Sequence, residues 1–312
     1  MIAFLPPCGD KLVGMGEELI ECVGPAGAGA PTTLTADPVY CEATFHYADR
    51  SQEFGRGGPR PDVVLPVHDG RQIDGLSFEA NGFELMTFPS KVENWRDYDE
   101  VFDVHGPEVE AFATERLGCD VAMFYPPIIR SPENAKKVED YAPILFVHSD
   151  FSTDYGPMTW EPHRPYREFI QPLLDQKGLT QDDLRNATRM VMIQFWRNIG
   201  PIEADHPLAV CDPRTIDQDR VVHTLITEYG GRLLEFEISA FMAPEEGDAD
   251  RWVTYPQMQP DEVLAFRTYD SAEIEAGRPY WTPHSAFRDP SVPDGVDHLR
   301  ESVEMRALCV WR

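Results

Sequence analysis

Basic residues are scarce in this chain: 27 Lys and Arg stand against 54 Asp and Glu in 312 residues, a formal charge of −27. Nucleic acid and anionic membrane are both held through clustered Lys and Arg, so neither is an expected partner. Long apolar runs are missing too. None approaches the roughly 20 residues of a membrane-spanning helix. The opening Met1-Ile-Ala-Phe-Leu-Pro-Pro-Cys-Gly-Asp10 lacks a basic stretch followed by a long apolar one, so no secretory leader is expected and the cytoplasm is the expected location. The six cysteines (Cys8, Cys22, Cys41, Cys119, Cys211, Cys309) are scattered without a C-x-x-C pair. That spacing excludes a zinc ribbon or a small disulfide scaffold and reads as reduced, mostly buried thiols. Internal repeats and coiled-coil heptads are absent as well.

Hydrophobic residues make up 42% of the chain and aromatics 11%, enough for a sizeable core. Residues 1–36 are rich in Gly, Pro and Ala and hold no steady period beyond a turn of helix or strand near 11–23. They read as an irregular N-terminal arm, and 37–312 as a single domain. Strand patterns cover 39–46, 63–67, 82–88, 119–125, 190–196, 208–211, 232–241, 252–255, 262–269, 280–287 and 302–311. Asp69-Gly70 suggests a hairpin turn after the second of these. Helical spacing runs from Val101 to Leu117 and stops at Gly118. Two short helices are expected over 166–175 and 180–189, the second capped by Thr180 and Asp183. Residues 130–140 read as a polar loop. Many strands with helices concentrated earlier in the chain predict a mainly β fold with flanking helices, a β-sandwich or jelly roll.

One stretch organises the chemistry. An apolar strand-like run, Pro143-Ile-Leu-Phe-Val, ends in His148-Ser149-Asp150. Side chains two apart on a strand share a face, so an imidazole and a carboxylate project together. With a second histidine they would form the facial triad that binds ferrous iron and leaves positions open. His163 and His298 sit in polar loop sequence, and His206 precedes a proline. His284, in Arg278-Pro-Tyr-Trp-Thr-Pro-His-Ser-Ala-Phe287, and His223, in Val221-Val-His-Thr-Leu-Ile226, remain as competing distal ligands. On the last strand Arg300, Ser302, Glu304 and Arg306 alternate with Val303, Met305, Ala307 and Cys309. An Arg-x-Ser pair beyond a distal histidine suits the remote carboxylate of 2-oxoglutarate, a guanidinium clamp assisted by a hydroxyl. Arg197, among apolar neighbours in Phe195-Trp-Arg, and Arg267 with Tyr269 on another strand are further candidates for a substrate or co-substrate contact.

The chain also resembles a family of non-haem iron oxygenases that includes fungal hydroxylase/desaturases, gibberellin desaturase and the cephamycin methoxylase component. The matching stretches run in order over roughly 40–312. They are Ile73-Asp-Gly-Leu-Ser-Phe-Glu-Ala-Asn-Gly-Phe83, Val147-His-Ser-Asp-Phe151, Phe195-Trp-Arg-Asn198, Pro207-Leu-Ala-Val-Cys-Asp212, Tyr255-Pro-Gln-Met-Gln-Pro-Asp-Glu-Val-Leu264 with Tyr269-Asp-Ser271, His284-Ser-Ala-Phe287 with Asp289-Pro290, and Arg300-Glu-Ser-Val-Glu-Met-Arg306. The resemblance implies a double-stranded β-helix (cupin-like jelly-roll) core, Fe(II), 2-oxoglutarate and O2, and a small-molecule substrate that is hydroxylated or desaturated. It implies His148, Asp150 and His284 as iron ligands, and Arg300 with Ser302 at the co-substrate carboxylate. The interval from His284 to Arg300 is longer than in better-known 2-oxoglutarate enzymes, which leaves Arg306 as an alternative clamp. A carboxylate at position 150 argues against halogenation. The rival expectations are an iron oxidase that does not use 2-oxoglutarate, a divalent-metal hydrolase, and a non-catalytic cupin-like binding protein. Neither the substrate nor the oligomeric state is legible in the sequence.

Overall fold

A computed structural model describes residues 37–49, 61–245, 248, 250–296 and 298–312. The arm expected over 1–36, with its short element near 11–23, lies outside the described residues. The described residues build fourteen strands: β1 (Val39–His46), β2 (Asp62–Asp69), β3 (Phe83–Thr87), β4 (Val121–Phe124), β5 (Ile128–Arg130), β6 (His148–Ser149), β7 (Arg189–Asn198), β8 (Leu208–Cys211), β9 (Val221–Tyr229), β10 (Arg232–Phe241), β11 (Trp252–Thr254), β12 (Glu262–Asp270), β13 (His284–Ala286) and β14 (Ser302–Trp311). Eight form one sheet in the order β1-β2-β11-β8-β13-β6-β10-β9. The others form a second, β3-β12-β7-β14-β4, with β5 also pairing β14. This is the expected two-sheet jelly-roll class.

Alternation along β7 and β14 divides the second sheet into two unlike faces. The strands pair antiparallel, with Glu304 opposite Trp196, Met305 opposite Phe195 and Arg306 opposite Gln194, and directly opposed residues share a face. Val191, Ile193, Phe195, Met305, Ala307 and Cys309 make an apolar outer face, packed with Val109 and Ala113 of the helix Gly106–Leu117. That helix lies close to the sheet: a Cβ on Gly106 would collide with the Phe124 ring. It ends at Gly118, whose φ of 65° suits glycine as a left-handed cap. The inner face meets the larger sheet. Met190, Met192, Leu308 and Val310 share one buried cluster there with Phe45, Tyr47 and Val67, while the opposite end of the same face carries polar side chains.

Four expectations change. Asp69-Gly70 makes no hairpin, because β2 pairs antiparallel with β1 and parallel with β11. Asp69 instead caps a short helical turn by accepting the Arg71 N–H at 3.0 Å, and a Cβ on Gly70 would lie 2.5 Å from the Tyr255 ring. The 130–140 loop contains a helix, Pro132–Lys137, begun by the Ser131 cap and Pro132 in its first turn. The strand runs around 143–152 and 280–287 shrink to two and three paired residues. Pro279 and Pro283 lack the N–H a longer ladder needs. A further helix, Tyr155–Trp160, follows Asp150.

Candidate metal and anion site

β6 and β13 meet in a single register pair, His148 opposite His284. Their ring centroids lie 4.4 Å apart. Main-chain bonds fix the surrounding segment: Val147 N–H donates to His46 O at 2.9 Å, Ala286 N–H to Ile144 O at 2.9 Å, and Ser152 N–H to Glu237 O at 3.0 Å. Asp150 follows β6 directly. Its Oδ1 lies 3.9 Å from His148 Nε2 and 3.8 Å from His284 Nε2, and one ligand atom from each of the three residues falls within 4.8 Å of the others. All three side chains are buried or nearly so.

The protonation states suit a divalent cation. His148 Nδ1 is 2.9 Å from the Phe146 carbonyl and His284 Nδ1 is 3.0 Å from that of Thr282. A carbonyl only accepts, so each Nδ1 carries the proton and each Nε2 lone pair faces the cluster. Burial, and next the neighbouring His284, push the His148 imidazolium down to about 3. Burial likewise lowers His284. Burial works against the ionised Asp150, but Arg306 foremost, with the two imidazoles, holds its carboxyl well below the usual range. Two neutral imidazoles and a carboxylate within metal reach are a fit donor set for a ferrous ion.

Near this cluster, a group of buried polar side chains lies on the inner side of β7 and β14. Arg300 Nε and Nη2 donate to Ser302 Oγ at 3.2 and 3.1 Å, and Nη1 to the His206 carbonyl at 3.3 Å. Its guanidinium carbon sits 5.1 Å from the Trp196 ring centroid. Among the described residues, Arg300 has no carboxylate within ion-pair distance. Burial first, then Arg130, bring it down to about 9. Two neighbours on the same inner face are also incomplete: Trp196 Nε1 and Gln194 Oε1 are buried with no hydrogen-bond partner. A buried guanidinium, a hydroxyl and an orphaned indole N–H together make a donor set that suits an anion.

The other inner-face cations are already matched. Arg130 pairs with Glu304 at 2.6 Å and donates to Tyr229 Oη at 2.9 Å, while Gln194 Nε2 holds the second Glu304 oxygen at 2.7 Å. Arg306 Nε and Nη2 both reach Asp150 Oδ2 at 3.0 Å. Three guanidiniums thus face two carboxylates, and Arg300 is the surplus.

The remaining candidates separate by face. Arg197 stands opposite Val303 on the outer side. It donates to the carbonyls of Phe88 (2.6 Å) and Pro260 and lies 4.6 Å from the Trp95 ring centroid. Main-chain oxygens and an aromatic face surround it, and its Nε is buried without a partner. Arg267 is opposite Ile193, also outward, against Asp270 at 3.4 Å and the Pro279 carbonyl at 3.3 Å. The structure brings neither arginine to the cluster. A register shift after Arg267 turns Tyr269 inward, 4.8 Å from Tyr155 between ring centroids. His223 is exposed on β9, with Nδ1 3.4 Å from Ser239 Oγ, and does not join the three-residue cluster. Sequence reasoning missed Arg130, Gln194 and the Trp196 N–H. A lone glutamine inside the otherwise apolar run 190–196 was the one signal available.

Known proteins carry the same architecture. The chain is 28% identical over 285 residues to the Fe(II)/2-oxoglutarate-dependent dioxygenase nvfI of Aspergillus novofumigatus (strain IBT 16806), covering 88% of each. It is 28% identical over 267 residues to the hydroxylase/desaturase efuI of Hormonema carpetanum, covering 78% of this chain and 82% of that one. The solved structure of the iron and alpha-ketoglutarate-dependent endoperoxidase NvfI superposes with a TM-score of 0.66 at 22% identity, over 88% of this chain and 98% of that one, a likeness of fold. A family model described as oxidoreductase/YMDC permease-like domain matches residues 37–310. That span contains both sheets up to the last residues of β14 and every residue of the cluster and of the polar group near it, and the chain belongs to this oxidoreductase/YMDC permease-like domain family.

Proposed function

We propose that this protein is an Fe(II)- and 2-oxoglutarate-dependent dioxygenase that hydroxylates or desaturates a small-molecule substrate of secondary metabolism, with residues 37–312 as its single oxygenase domain. His148, Asp150 and His284 hold the iron. Arg300 and Ser302 receive the remote carboxylate of 2-oxoglutarate, with the Trp196 N–H as a further donor. When bound, Fe(II) with 2-oxoglutarate and O2 supplies the oxidising power, with succinate and carbon dioxide as co-products.

This chain's own part is to bind, orient and shelter. The carbonyls of Phe146 and Thr282 keep both Nε2 atoms unprotonated and aimed at one point. Glu304 would repel a dianionic co-substrate, but Arg130 and Gln194 occupy its oxygens. Burial keeps water from competing for the Arg300 guanidinium, which strengthens its hold on an anion. Tyr269, Tyr155 and Phe151 pack in the core on the Asp150 side. The observation that carries the reading is the surplus buried Arg300 beside a two-histidine, one-carboxylate cluster. An oxidase that does not use 2-oxoglutarate would leave Arg300 and Ser302 as substrate contacts, and co-substrate dependence of turnover separates the two. The free thiols of Cys41, Cys119, Cys211 and Cys309, together with a need for ferrous iron, support a reducing compartment, the cytoplasm.

The test is an anaerobic visible-absorption titration of metal-free protein with Fe(II) and then 2-oxoglutarate. A weak charge-transfer band requiring both is expected. Iron binding without a band favours the 2-oxoglutarate-independent oxidase, and absent iron binding favours the non-catalytic binding protein.

A further inference from the structure

We infer that Arg306 is a positioning residue that dictates which oxygen of Asp150 a metal can use, and that it is not a co-substrate clamp. This rests on the metal-centre reading above and deepens it. A guanidinium facing a carboxylate commonly engages both oxygens through two parallel bonds. Here the hydrogen bond from Nε and the nearest approach of Nη2 both fall on Oδ2, each at 3.0 Å. Oδ1 is left as the oxygen nearest both imidazole Nε2 atoms. The carboxylate is therefore split into a held oxygen and an offered one. A carboxylate with two free oxygens can take two coordination positions, whereas Asp150 can give only one, which keeps a position for a chelating ligand.

The restraint crosses the molecule. Arg306 stands on β14 of the six-stranded sheet, and Asp150 follows β6 of the other. Glu304 shares the inner face of β14 with Arg306. Glu304 is itself fixed by Arg130 and Gln194. Arg130 is anchored in turn by Tyr229 and by the Asp140 and Ala142 carbonyls, the first of these at 2.5 Å and the second at 2.9 Å. The chain of contacts runs from the sheet that binds the anion to the loop that delivers the metal ligand.

The experiment loads wild type, Arg306→Gln, Arg306→Lys and Arg300→Gln with Co(II) and records ligand-field absorption. Each is then titrated with 2-oxoglutarate and with pyruvate, a 2-oxo acid without the remote carboxylate. Arg306→Gln is expected to bind Co(II) with an altered spectrum and to lose affinity for both 2-oxo acids alike, on the order of 10–100-fold. Arg306→Lys, with one donor and the same charge, should move the spectrum back toward wild type. Arg300→Gln should keep the wild-type spectrum and weaken 2-oxoglutarate alone. An unaltered Arg306→Gln spectrum, with only 2-oxoglutarate weakened, makes Arg306 a clamp and overturns the inference. Loss of Co(II) binding and thermal stability in both Arg306 variants makes it a structural strut and overturns it equally. Wild type that binds no Co(II) overturns the metal-centre reading itself, and this inference with it.

Discussion

The two faces of the six-stranded sheet use the same strands for opposite ends. Outward, β7 and β14 present Val191, Ile193, Phe195, Met305, Ala307 and Cys309 to a helix, an apolar packing. Inward, one residue along, they present Gln194, Trp196, Ser302, Glu304 and Arg306, and that face is left with an orphaned indole and amide oxygen. Arg197 and Arg300 show the two faces side by side. Arg197 on the outer face donates to two main-chain carbonyls, lies against the Trp95 ring and leaves Nε unpartnered, while Arg300 on the inner side meets a hydroxyl, a carbonyl and the Trp196 ring; among the described residues neither has an acid within ion-pair distance. The outer face packs apolar side chains against the helix, and the inner face keeps polar groups that the proposed co-substrate would complete.

Removing the proposed iron ligands should have the largest effect. His148→Ala, Asp150→Ala and His284→Ala each abolish iron-dependent succinate formation, while the exposed His223→Ala retains it; an inactive but folded His223→Ala with an active His284→Ala would reassign the distal ligand. Next comes the matched inner pair. Arg130→Ala strands the Glu304 carboxylate and should cost roughly 3–5 kcal/mol in urea unfolding, whereas the double replacement Arg130→Met with Glu304→Leu should recover most of it. Equal losses in the single and double variants would show that the pair is not the source.

The two arginines then test the contrast directly. Arg300→Met should raise the 2-oxoglutarate requirement by about tenfold or more, as expected when a charged partner worth roughly 1.5–3 kcal/mol is lost, with an unchanged or higher melting temperature. Arg197→Met should lower the melting temperature and leave the requirement alone. Exchanged phenotypes would reverse the assignment of the faces.

Acid provides a gentler lever on the metal-free protein. Burial, foremost, holds His105 down to about 4 and His148 down to about 3 in the folded chain, while unfolded imidazoles titrate near ~6.5. Below that value the unfolded chain takes up protons that the folded one refuses. Stability should therefore fall as pH drops from about 6.5 toward 4, by roughly 1.4 kcal/mol per unit for each such imidazole. His105→Gln should remove its share of the slope in denaturant titrations across that window. The smallest effect is expected at the surface, where Arg96→Ala breaks an exposed pair with Glu301 and should change stability by less than about 1 kcal/mol.

Much of this was legible because it is local. The i, i+2 relation of His148 and Asp150 and the alternation over 302–309 follow from strand geometry alone, and β1, β8, β10 and β14 span the expected residues. What the sequence hid is register. The choice of His284 over His223 depends on β13, not β9, lying opposite β6. Arg130 read as loop because its partner, Glu304, lies 174 residues on. The placement of Arg197 and Arg267 turns on which face an odd position takes, and a local pattern does not fix that.

The seam that brings the two histidines together is thin: β6 and β13 share one residue pair. A cation gripped there staples three chain segments that the ladder itself barely joins. Because unfolding scatters the three donors, occupancy and folding draw on one equilibrium, and free ion at a hundredfold excess over its dissociation constant adds about 2.7 kcal/mol to stability. The melting temperature of this protein should accordingly serve as a gauge of its metal content, and iron-starved molecules should be the first to be cleared by proteolysis.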